Sequence, residues 1–219
     1  MKKLIIFGIG EQAEMAYYYF KNDSKYDIVA FTVDKKYIDK ETLFDLPIVE
    51  FELIENIYSE EEYELFIAIG YNKINKLREE KYLLCKEKGY KIASYISSKA
   101  SIFTDKIGEN CFILEDNTIQ PYVTIGNNVT LWSGNHIGHH SIIQDNCFVT
   151  SHVVISGGCE IGENTFIGVN ATLRDHIKIG KSNVIGAGAL ILNDTEDNKV
   201  YMANPTEASK VPSNRLRGI

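Results

Sequence analysis

Four of the five histidines, His136, His139, His140 and His152, fall within a span of 17 residues. They share it with Trp132 and Asn135, and the Gly157-Gly158 pair follows a few residues later. A neutral imidazole can take the proton from an attacking amine or hydroxyl near neutral pH, and glycine amides can hold the oxyanion of a tetrahedral intermediate. A thioester donor is already activated, so such a set can perform acyl transfer without a covalent nucleophile. Histidines on neighbouring elements can instead surround Zn²⁺, which makes a metallohydratase a second reading. His140 and His176 would stack about 10 Å apart, two strand spacings, too far to share an ion. No metal ligand is therefore assigned. A third reading is a non-catalytic scaffold whose histidines only decorate its surface.

A second cluster stands near the N-terminus. Gly8-Ile9-Gly10-Glu11-Gln12-Ala13 follows the apolar run Leu4-Ile5-Ile6-Phe7 and matches G-x-G-x-x-A, with Asp34 about twenty residues on. Glycine turns that open a helix bind phosphate, and an acid at the end of the next strand takes ribose or sugar hydroxyls. Gly70 and Asn72, after a third apolar run, would edge the same crevice. Glu11 places a negative charge where a diphosphate approaches, and a tight turn with no ligand is the competing reading. Fewer than 100 residues precede the repeats described next, room for one mononucleotide half and not a dinucleotide fold.

The elements that must position these residues are legible as periods. From Ile107 to Ile191 an aliphatic residue returns at every sixth position, fifteen times without a gap, often with glycine next, as in Ile125-Gly126, Ile137-Gly138, Ile161-Gly162 and Ile185-Gly186. Six is neither a helical nor a simple strand period; it is the hexapeptide signature of a parallel β-helix. Three hexads close a triangular coil, so the fifteen make five coils, a prism about 24 Å tall. Before it, short strands at 3–7, 26–33 and 65–69 alternate with helices to about residue 20 and over 72–88, which predicts a small α/β Rossmann-like unit. The expected domains are 1–98, 99–199 and a closing tail at 200–219, with a hinge at 97–101.

A net charge of −7 among 219 residues and a pI near 5.3 argue against a nucleic-acid or anionic-membrane binder. No signal segment and no apolar run of about 18 residues is seen, so a cytoplasmic protein is expected. Cys111, Cys147 and Cys159 fall on small interior slots of their hexads, where thiols act as small hydrophobes. Prism faces carrying Val, Ile and Trp with no long covering loop should pack on copies of themselves, which predicts a cyclic trimer.

The run Leu131-Trp132-Ser133-Gly134-Asn135-His136-Ile137-Gly138-His139-His140-Ser141, with Thr150-Ser151-His152-Val153-Val154-Ile155-Ser156-Gly157 after it, resembles the hexapeptide-repeat bacterial sugar acetyltransferases. These include enzymes that N-acetylate nucleotide-linked 4-amino sugars and the group labelled sialic acid O-acetyltransferases. The resemblance covers nearly the whole chain, with Ala203-Asn204-Pro205 near the closing motif of the family. It implies a left-handed β-helix, a homotrimer, acetyl-CoA as co-substrate with no permanent cofactor, and N-acetylation of a nucleotide-linked amino sugar for a surface glycan; sugar O-acetylation is the alternative. His139 is then the base, with His140 and His152 as its orienting or thioester contacts. Asn135 and His136 join Gly8, Gly10, Asp34, Gly70 and Asn72 on the sugar nucleotide. Gly157, Gly168, Val169, Gly186 and Ala187 meet CoA, and Lys199, Lys210, Arg215 and Arg217 are candidates for its phosphates. The sequence departs from the family after the base, where many members carry Glu or Asp and this chain carries His140.

Overall fold

The computed structural model describes residues 2–215, so Arg217 lies outside the described residues. The chain opens with β1 (Lys2–Phe7), α1 (Glu11–Asn22), β2 (Tyr26–Val33), β3 (Thr42–Leu43), β4 (Leu46–Glu50), α2 (Ile54–Ile57), β5 (Tyr63–Ile67), α3 (Lys76–Glu87) and β6 (Lys91–Ile92). The sheet order is β3-β4-β2-β1-β5-β6, parallel throughout except for the β3–β4 pair. Leu4, Ile5, Ile6 and Phe7 are all buried, because both faces of a central parallel strand are covered and no alternation is needed. Leu4 and Ile6 pack with Ala13, Ala16 and Phe20 of α1, whereas Ile5 and Phe7 pack with Phe51, Ile54, Tyr82 and Cys85 on the other side. The strands β2 to β4 lie on one side of β1 and β5 and β6 on the other, so the crevice beyond the carboxyl end of β1 is the topological switch point.

The helix expected from residue 72 starts four residues later. Lys73, Ile74 and Asn75 take left-handed conformations with φ of 53°, 52° and 64°, which an α-helix cannot contain. The third strand likewise ends at Ile67, two residues earlier than expected.

Stacked two-residue rungs then build a parallel β-helix with three faces. Face one runs from Tyr95–Ile96 through Phe112–Ile113, Thr130–Leu131, Phe148–Val149, Phe166–Ile167 and Val184–Ile185 to Val200–Tyr201. Face two holds Ser101–Ile102, Thr118–Ile119, His136–Ile137, Val154–Ile155, Thr172–Leu173 and Leu190–Ile191, and face three runs from Thr124–Ile125 to Lys178–Ile179. Within the repeats each rung pairs with the one 18 residues on, as in Thr130↔Phe148 and His136↔Val154, and the spacing shortens at the two ends, as in Tyr95↔Phe112 and Val184↔Val200. The hexad aliphatics fill the interior. Stacking starts before the first hexad, at Tyr95, and Ile107 itself makes only an isolated bridge to Ile125.

The small domain rides on face one. Tyr95, Phe112 and Leu114 share a core cluster with Leu4, Phe20 and Phe31. Arg78 of α3 is fully buried; its Nη2 donates to the carbonyls of Asn128, Asn146 and Cys147 at 3.1, 2.8 and 3.1 Å, and its Nε to Asn128 Oδ1 at 3.2 Å. Burial pulls this guanidinium down to about 10, which leaves it charged at neutral pH. The residues it meets belong to a corner column, Asn110, Asn128, Asn146 and Asn164, all left-handed, a conformation asparagine tolerates. Asn110 donates to Asn128 at 2.6 Å and Asn128 to Asn146 at 2.7 Å, while Asn110 Oδ1 accepts from the Ile67 N–H at 2.8 Å. Asp23, just past α1, accepts from Tyr95 Oη and the Ser98 N–H, both at 2.8 Å. The expected hinge at 97–101 is therefore tied down on both sides, since Ser97 N–H also bonds the Ile113 carbonyl.

Candidate active site

A cleft of about 1180 Å³ opens between the switch point and the β-helix. Gly8, Gly10, Asp34, Gly70 and Asn72 line it, as do Trp132, Phe148, Ser151 and Val169 from the β-helix. The three segments arrive together because each follows a parallel strand at the same sheet edge. Gly8 has φ of 126°, and a Cβ there would stand 2.7 Å from the Ala68 carbonyl, so only glycine fits. Gly10 is different: it precedes α1 with open space where a side chain would be. The free N–H groups of the first turn thus face an unfilled volume, a setting suited to phosphate.

Two features of this cleft were not anticipated. Asp34 is buried against Lys81, whose Nζ lies 2.8 Å from Oδ2 and 3.0 Å from Oδ1. Burial opposes the Lys81 charge, but the hydrogen bond and field of Asp34 outweigh it and hold Lys81 above its ordinary value. Asp34 therefore lines the cleft as half of an ion pair, not as a free carboxylate. Tyr71 also enters, meeting Phe148 edge to face and Phe166 at a tilt, at 5.2 and 4.8 Å between centroids.

The histidines divide between two corners. His152 sits where face one turns into face two, its ring over Gly134, where a Cβ would come 2.5 Å from Nδ1. It follows Ser151 of the cleft wall. His139 and His140 sit at the next corner, between faces two and three, in a column with Pro121-Tyr122, Gly157-Gly158 and Asp175-His176. The His139 ring lies over Gly157, where a Cβ would meet Cε1 at 2.7 Å and Nε2 at 2.8 Å. Its backbone N–H donates to Gln120 Oε1 at 2.9 Å, and its Nδ1 stands 3.1 Å from Nδ1 of His140. Neither His139 Nε2 nor the Gly157 N–H has a partner among the described residues. His136 points outward on face two between Thr118 and Val154, half-buried.

Asn135 is not a ligand-facing residue. It is buried, donating to the Trp132 carbonyl of its own coil at 2.5 Å and accepting from the Val153 N–H of the next coil at 2.8 Å, so its amide is used up inside the corner. Among the residues expected on CoA, Gly157 stands at the histidine corner, whereas Val169 lines the cleft and Ala187 lies exposed one coil above it. Gly168 is buried under the next coil, with a Cβ position 2.6 Å from the Ala187 nitrogen, so its role is close stacking. Gly186 is likewise buried, and a Cβ there would stand 3.1 Å from the Tyr201 carbonyl oxygen. Lys199 pairs with Glu196 at 3.1 Å, and Lys210 and Arg215 are exposed. The thiols of Cys111 and Cys147 are buried and pushed up to about 12 by desolvation; each donates to a carbonyl of the next coil at 3.2 Å. They fill corners and are not nucleophiles. No helix among the described residues is long and apolar enough to cross a membrane.

Comparison with known proteins places both halves. Residues 3–82 match the PglD N-terminal domain, and 106–138, 122–157 and 158–193 match the bacterial transferase hexapeptide of six repeats. A perosamine N-acetyltransferase from Caulobacter crescentus, a His-to-Asn mutant in complex with CoA and GDP-perosamine, is 20% identical at a TM-score of 0.81, over 92% of this chain and 93% of that one. The acetyltransferase domain of PglB from Neisseria gonorrhoeae is 22% identical at 0.80, over 94% and 99%. WeeI from Acinetobacter baumannii is 19% identical at 0.79, over 92% and 97%. No curated protein matches. The fold is that of these structures, a small Rossmann-like domain followed by a left-handed parallel β-helix.

Proposed function

Because this chain joins a PglD N-terminal domain to bacterial transferase hexapeptide repeats, we propose that it transfers acetyl from acetyl-CoA to the amino group of a nucleotide-diphosphate-linked deoxy-amino sugar. One observation carries the reading: a glycine-turn cleft of nucleotide size opens directly onto the β-helix that bears His139. The diphosphate meets the first turn of α1 at Gly10, and the Asp34–Lys81 pair and Tyr71 flank the nucleoside and sugar. His139 Nε2 takes a proton from the amine as nitrogen attacks the thioester carbon. The C–N bond forms, the C–S bond breaks, and the CoA thiolate leaves and is protonated. The Gly157 N–H, which has no acceptor among the described residues, receives the oxyanion of the tetrahedral intermediate.

The cleft lies at one corner of face two and His139 at the other, one hexad away, a span of up to about 20 Å. Val154 and Leu190 leave the face between them partly apolar and exposed. A second copy docked on that face would bring its own His139 to this cleft, so the site belongs to two protomers of a cyclic trimer.

Turnover of acetyl-CoA with a panel of nucleotide-linked 4-amino sugars tests the activity. His139→Asn should lower kcat by about 10²–10⁴ and leave both KM values near wild type. A variant within about threefold of wild type would mean that positioning alone carries the reaction.

A further inference from the structure

Resting on the reading of His139 as the base, we infer that its positioning partner is the neutral imidazole of His140, through one hydrogen shared between two Nδ1 atoms. Those atoms stand 3.1 Å apart, a separation that suits one intervening hydrogen. Two N–H groups would collide there, and two lone pairs would repel. The rings meet edge to face at 85°. His140 is itself held from the coil below, where the Tyr122 ring lies 4.7 Å from it between centroids, tilted by 33°.

The shared hydrogen can be placed in two ways, and one leaves His139 able to act. With hydrogen on His139 Nδ1 donating to His140, the second hydrogen of the pair sits on His140 Nε2, and His139 Nε2 carries a lone pair. When Nε2 takes the amine proton, Nδ1–H still donates to His140, so no bond is lost and the charge is shared with a second ring. A carboxylate in the same place would hold His139 through a full charge and make the imidazolium slower to release its proton. The other titratable groups of this corner column are Tyr122 below and Asp175 and His176 above; Asp175 lies 3.9 Å from His176 Nε2.

Long-range proton–nitrogen NMR of full-length protein labelled with ¹⁵N-histidine reads each ring's tautomer without any substrate. The expected spectrum shows His139 protonated at Nδ1 and His140 at Nε2. His140→Asn, whose carbonyl still accepts Nδ1–H, should keep the His139 tautomer, and His140→Ala should lose it. Hydrogen on Nε2 of His139 in the wild type, or a His139 tautomer unchanged in His140→Ala, overturns the pairing. Undiminished turnover by His139→Asn would instead refute the base itself, so the two failures are told apart.

Discussion

Gly157 has no positive φ, yet a side chain there would occupy the edge of the His139 ring. Its smallness serves a neighbour and not its own backbone. Gly157→Ala should therefore fold normally and push the imidazole aside, lowering kcat by about 10²-fold, the scale of a 1 Å misplacement. An unchanged melting curve beside the lost rate would separate displacement of the base from damage to the coil. The mirror case is Gly8, where φ of 126° and the Ala68 carbonyl forbid a Cβ. Gly8→Ala should cost stability first. The G-x-G pattern revealed that both glycines mattered but not that Gly10 alone leaves room for a ligand. Likewise His140 was visible as a departure from Glu or Asp, while its Nδ1 pairing depends on rotamers that spacing does not encode.

At the scale of elements, the sequence predicts a helix over 72–88, and by charge alone Arg78 belongs to its solvent side. It is buried because the asparagine column behind it presents carbonyls at the corner, a feature with a period of 18 that the stronger six-residue signal masks. Arg78→Met should destabilise the protein by roughly 3 kcal/mol, since buried carbonyls lose their donors. Because Arg78 Nη1 also reaches the Gly70 carbonyl at 3.4 Å, the sugar-nucleotide KM should rise while that for acetyl-CoA stays. Denaturant melts and the two KM values check this.

The end of α1 offers a pH test. The Ser98 N–H, then the Tyr95 and Ser97 hydroxyls, hold the Asp23 carboxyl below its ordinary value. A carboxylate depressed in the folded state adds stability that is present above its unfolded pKa of about 3.9 and is lost as pH falls through the folded value. Acid unfolding should therefore be shallower in Asp23→Asn, whose stability near pH 7 should be lower than wild type. Urea midpoints at pH 3 and 7 measure both.

For the molecule as a whole, the coils were legible because every sixth side chain is an interior contact, and a period survives in sequence whatever the outer residues do. The cleft was less legible, since Trp132, Phe148, Ser151 and Lys81 come from three unrelated segments. If the active site spans two protomers, His139→Ala and a cleft variant such as Gly10→Trp should each be inactive yet complement one another. Randomly mixed trimers should recover about a quarter of wild-type sites. No recovery on co-expression, with both variants trimeric by sedimentation, would place the site within one chain.

Arg78 meets carbonyls and amides but no carboxylate. Attraction between surface ions such as Lys88 and Glu55 fades as the Debye length shrinks to about 3 Å at 1 M salt. Mobile ions do not enter the dry corner where the guanidinium sits among peptide dipoles. This anchor of the small domain on the prism should thus be indifferent to ionic strength, holding in brine as in dilute buffer, even where a more exposed pair across the same seam, Lys86 with Glu109 at 2.7 Å, has let go.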